Sequence, residues 1–122
     1  MSAKNLPHDH GEIQDAEAIS HLLSETTGFD SVCDLLAQLV DSTRIRIFWF
    51  LCHYEECVTN ISAVMNMSSP AVSHHLRSLK ESGLIESRRQ GKEVYYKAVD
   101  SSEVRYLHRM IEDLMDITCP KE

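Results

Sequence analysis

The residues of this chain best suited to chemistry fall into two sets. The first lies within MSSPAVSHHLRSLKESGLIESRRQGKEVYY, residues 67–96. There Ser68, Ser69, Ser73, His74 and Arg77 recur at spacings that place them along one side of a helix. Arg88, Arg89 and Lys92 follow in a short turn-like segment. Hydroxyls and a guanidinium on one helix face suit base edges and phosphates. The second set is made of metal-ligand types: His8, Asp9 and His10 near the start, and His108, Glu112, Asp116 and Cys119 near the end. Imidazole, carboxylate and thiolate together suit a transition-metal ion.

The elements that must carry these residues can be read from local patterns. Residues 1–11 are polar, hold Pro7 and Gly11, and read as a flexible N-terminal arm. Residues 12–119 read as one domain. Ile13, Ala16, Ile19, Leu22 and Leu23 have helical spacing over about 12–26, with Thr27-Gly28 as the expected stop. A second helix is expected over about 30–40, with Val32, Leu35, Leu36 and Leu39 on one side. Asp41 offers an N-cap for a third, about 43–54, apolar nearly all round and so expected at the centre of the core. Cys33 and Cys52 fall on apolar helix faces and are expected in that core.

Thr59 or Asn60 can cap a short helix to about Met65. Ser68 can cap another that runs to Glu81, with Pro70 in its first turn and Ser82-Gly83 as its stop. Residues 84–88 and 93–97 read as two strands of a hairpin joined by 89–92. A last helix over about 101–117 carries Val104, Leu107, Ile111, Leu114 and Thr118 as an apolar seam able to pair with another helix. Helix, turn, helix and hairpin in this order make a winged helix-turn-helix. The expected class is therefore mainly α with a small β-hairpin wing.

Charge agrees with a nucleic-acid partner. The formal net charge is −7, yet residues 70–97 hold six basic groups against three acidic ones. A polyanion would meet repulsion over most of the molecule and attraction at this one stretch. No apolar run reaches the ~18–20 residues of a membrane span, and a cytoplasmic location is expected. Four cysteines without a CxxC pair suggest thiols or ligands rather than a disulfide framework. There is no HExxH pattern and no general base paired with a metal cluster, so a metalloenzyme is not expected.

SPAVSHHLRSLKESGLI followed by RRQGKEVYY resembles the ArsR/SmtB family of small dimeric winged-helix repressors. LLAQLVDSTRIRIFWFL and ECVTNIS resemble that family's upstream stretches, so the likeness spans about residues 30–118. It implies a homodimer joined through terminal helices, with two recognition helices in successive major grooves. It also implies repression of transcription, relieved by an effector. The usual effector is a transition-metal ion: zinc first, with nickel, cadmium, cobalt or copper as other candidates.

The resemblance implies two metal sites, and this chain departs from both. The first needs two thiolates one residue apart, and here Cys57 is kept while Thr59 replaces its partner. Cys57 would then need His8, Asp9 or His10 to complete a site. The second needs two histidines on the terminal helix. Alignment there gives Asp100, Ser102, Asp113 and Asp116, without histidine. The chain's own set is His108, Glu112, Asp116 and Cys119, helped by His8 and His10. Cys119 lies roughly 16 Å from His108 along a helix at ~1.5 Å per residue, so one helix cannot bring both to one ion. His74 and His75 are expected to serve DNA contact and packing. Two other readings stand beside the metal-responsive repressor. One is a thiol-redox repressor using Cys57 or Cys119; the other is a winged-helix protein-interaction module that does not bind DNA.

Overall fold

A computed structural model describes residues 7, 8, 10, 11 and 15–117. The chain forms two compact units, the first ending at Leu36 and the second beginning at Ala37. The first unit holds α1 (Ala16–Ser24) and all but the last residue of α2 (Thr26–Ala37). Gly28 does not stop a helix, as the sequence suggested; it lies inside α2. The break falls at Glu25 instead, whose backbone leaves helical geometry at φ −86°, ψ 89°. Neither helix buries a residue. Leu22, Leu23, Phe29 and Val32 are all more than half exposed. Cys33 is exposed as well, a correction to its expected place in the core.

The second unit holds α3 (Ser42–His53), β1 (Glu56–Cys57), α4 (Val58–Met65), α5 (Ser69–Glu81), β2 (Ile85–Gln90), β3 (Glu93–Ala98) and α6 (Ser102–Met115). Asp41 caps α3 by accepting from the Arg44 amide at 2.9 Å. That amide holds the Asp41 carboxyl below the usual aspartate range. Ile47, Phe48 and Leu51 of α3 are almost wholly buried and form the centre of the core. Ile61 of α4, Val72, Leu76 and Leu79 of α5, and Leu84 and Ile85 close around them.

Ser68 caps α5 by accepting from the Ala71 amide, and Pro70 stands in the first turn. Gly83 takes a left-handed φ of 79° just beyond the helix end, which favours glycine. The three strands run antiparallel in the order β1-β3-β2. Gln90 faces Glu93, so Gly91 and Lys92 alone make the wing turn, with Gly91 at φ 64°. The sequence gives no sign of β1. Its two residues pair with Tyr96 and Tyr95, and α4 begins directly after them at Val58.

Ser101 caps α6 by accepting from the Val104 amide at 3.1 Å. Val104, Leu107 and Ile111 bury their side chains within this unit. Leu114, expected on the same seam, is 79% exposed, and Asp116 ends the helix in left-handed geometry. Thr118 and Cys119 lie outside the described residues.

Candidate nucleic-acid interface and metal centre

The polar face of α5 stands out from the core because its apolar residues alternate with it at helical spacing. Val72, Leu76 and Leu79 point inward. Ser68, Ser69, His74 and Arg77 are exposed, and Ser73 is half-buried. Ser69 also reaches Ser62 of α4 at 3.2 Å between hydroxyls, which ties the two short helices together. His75 turns the other way and is half-buried, with its Nδ1 sequestered from solvent. The helix start, with its outward amides, is an anion-compatible end.

The wing is less uniform than its composition suggests. Arg89 and Lys92 are exposed at its tip. Arg88 is held differently. Its guanidinium donates to both carboxylate oxygens of Glu55, at 2.6–3.0 Å, and to Gln90 Oε1 at 2.6 Å. It also lies 5.1 Å from the centre of the Tyr95 ring. The Arg88 bonds hold the Glu55 carboxyl below the usual glutamate range and raise Arg88 in turn. This bidentate pair fastens the wing to the segment after α3.

The metal-ligand types are distributed unevenly. His8 and His10 are exposed in the first unit, their rings stacked 5.5 Å apart. Asp9 and Cys119 lie outside the described residues. Asp100 accepts from Arg105 at 2.6 Å, and Asp113 pairs with Arg109 at 3.6 Å, both on the surface. Asp116 is exposed. Cys57 is buried at the end of β1.

His108 and Glu112, one turn apart on α6, do come together, with His108 Nε2 3.1 Å from Glu112 Oε2. They are joined by a residue the sequence reading missed, His53 at the end of α3. Its Nε2 is 3.1 Å from His108 Nε2 and 3.4 Å from Glu112 Oε2. Trp49, one turn earlier on α3, donates its indole N–H to the same Glu112 oxygen at 3.0 Å. The side chains of His53 and Glu112 are only 6% and 11% exposed, and that of His108 22%. Among the described residues, these three offer ligand atoms all within 4.8 Å of one another. A histidine one turn after Trp49, at the C-terminal end of α3, was the available signal for His53.

Residues 41–87 match the model of the bacterial regulatory protein, arsR family. The chain is 37% identical over 82 residues to the transcriptional repressor SmtB homolog of Synechocystis, covering 67% of this chain and 61% of that protein. It is 36% identical over 83 residues to the cadmium resistance transcriptional regulatory protein CadC of Listeria innocua, covering 66% of this chain and 70% of that one. The chain belongs to the arsR family. It thus spans about three fifths of the Synechocystis relative's length. The fold agrees with a solved homodimeric winged helix-turn-helix DNA-binding domain from Mycobacterium bovis. That match has a TM-score of 0.64 at 25% identity and covers 87% of this chain and 89% of the other.

Proposed function

We propose that this chain is a transcriptional repressor that binds operator DNA as a homodimer and releases it when a transition-metal ion is bound. The carrying observation is the pairing of an exposed polar α5 face with the converging His108 and Glu112 of α6 in one unit. In this reading Ser68, Ser69, Ser73, His74 and Arg77 enter the major groove, and Arg89 and Lys92 neutralise backbone phosphates. Arg88 steadies the wing through Glu55 rather than meeting DNA with a free charge. The names of the relatives support a metal as effector, since they include a cadmium resistance transcriptional regulatory protein and an arsenical resistance operon repressor.

A second copy has apolar surface to cover. Tyr106, Leu114 and Met115 of α6 are 62–79% exposed, and α1 and α2 bury nothing. Helices of this length are marginal without packing, so α1 and α2 need a covering surface. A dimer would set two α5 helices one helical turn of DNA apart.

His108 and Glu112 would hold the ion, which would fix more firmly two groups that already lie 3.1 Å apart. These residues fit such a group, because their donor atoms already converge. Locking this junction would favour a dimer whose α5 helices fit successive grooves poorly. The test is fluorescence anisotropy of the reduced, chelator-treated protein on its own upstream DNA, with and without added Zn²⁺. Tight, salt-sensitive binding that Zn²⁺ weakens is expected. No DNA binding, or binding untouched by Zn²⁺, Ni²⁺, Co²⁺, Cd²⁺ and Cu⁺, would overturn the proposal.

A further inference from the structure

We infer that His53, His108 and Glu112 form a complete three-ligand metal site within a single protomer, built for a borderline N/O-preferring ion such as Zn²⁺ or Co²⁺, with Trp49 as its positioning residue. This rests on the metal-responsive reading above and adds the ligand that reading lacked, the class of ion and the means of seeing it bind.

The distances are the first argument. A tetrahedral ion held at about 2.0–2.1 Å by each ligand keeps its ligand atoms roughly 3.3 Å apart. The three edges here are 3.1, 3.1 and 3.4 Å. The electronic argument is independent of the distances. The carboxylate oxygen accepts only, and each imidazole Nε2 is either an N–H donor or a lone-pair acceptor according to tautomer. Their convergence is stable only with protons or a cation among them. The Glu112 oxygen already accepts from the Trp49 indole, so a metal would share a carboxylate whose orientation is set by that bond.

The ligand set then selects the ion. Two nitrogens and one oxygen suit Zn²⁺, Co²⁺ and Ni²⁺ better than soft ions that call for thiolate. Cys57, the thiol nearest in type to the family's soft-metal site, is buried in the sheet and not part of this group. Three protein ligands leave a fourth position open, as in exchangeable rather than purely structural sites. His108, the most exposed of the three, gives the path of entry. Both helices contribute, so an ion here ties α3 to α6 without help from a second copy.

Trp49 is the only tryptophan in the chain, so its fluorescence reports on this site alone. The experiment is a Co²⁺ titration of the reduced, chelator-treated full chain, followed by visible absorption and Trp49 emission, then by Zn²⁺ displacement. The expected result is one ion per protomer, tetrahedral Co²⁺ absorption without a thiolate charge-transfer band, and a saturating change in Trp49 emission. His53→Gln and Glu112→Gln should each weaken binding at least about tenfold, with their fold checked by circular dichroism. Trp49→Phe should weaken it about 10–100-fold while keeping the same Co²⁺ spectrum, the signature of a residue acting through Glu112. Unchanged affinity in His53→Gln, a thiolate band, or no change in Trp49 emission would overturn the inference. If His53→Gln also responds to Zn²⁺ on DNA like the parent, this site falls while the metal-responsive repressor stands. If the site binds as described but operator affinity does not move, the site stands and the repressor reading falls.

Discussion

The outward face of α5 and the junction of α3 with α6 are built from overlapping residue types and are opposites in environment. His74 stands exposed on α5, whereas His53 and His108 sit between two helices with Glu112 and Trp49. On α5 the exposed His74 and Arg77 can bond water until a partner arrives, so their removal is expected to alter recognition far more than folding. In the junction water is largely excluded, and each polar group depends on the others for satisfaction. Solvent access, more than residue identity, separates the surface proposed to read DNA from the cluster proposed to hold an ion.

The largest effect that would test this contrast is on DNA binding. Arg77→Ala should weaken operator binding by about 1–3 kcal/mol in anisotropy, and leave the urea midpoint nearly unchanged. A loss of stability as large as the loss of affinity would break the contrast. Next comes Glu112→Ala, which removes the acceptor of the part-buried Trp49 N–H. It should lower unfolding stability by about 1–3 kcal/mol in urea titration. The matching change on the open face, His74→Ala, should stay within about 0.5 kcal/mol by the same method.

A smaller effect sharpens the comparison within the wing. Lys92→Ala should lower the slope of log affinity against log salt by about 1. Arg88→Ala should leave that slope close to the parent's, because its charge is matched by Glu55. The smallest effect concerns acid. The Arg88 bonds hold Glu55 below its ordinary value of 4.5 in the folded state. Its contribution is therefore present above that value and is lost as pH falls through the depressed folded value. Glu55→Gln should flatten the acid limb of thermal stability below pH 4.5 and leave neutral pH little changed.

Most of the second unit could be read locally. Ser68, Pro70 and Gly83 are cap, first-turn and stop signals that act within a few residues, and α5 follows them from Ser69 to Glu81. Asp41 and Ser101 announce α3 and α6 in the same way. The misses have a common cause in distance along the chain. β1 exists only because Glu56 and Cys57 find β3. His53 meets His108 across a separation of 55 residues. The α6 period was legible: Val104, Leu107 and Ile111 are buried, while Leu114, further along the same seam, stays exposed in the single chain. Gly28 misled because a glycine inside a helix and one that ends it look alike in sequence.

The central claim is that DNA bound by α5 and an ion held between α3 and α6 oppose one another. Such linkage is reciprocal. The most direct measurement is the affinity of the protein for Zn²⁺, taken once free and once bound to its upstream DNA, against a competing chelator. Weaker Zn²⁺ binding on DNA is expected, by the factor with which Zn²⁺ weakens DNA binding, about 5–150-fold. Equal Zn²⁺ affinity in the two states would contradict it.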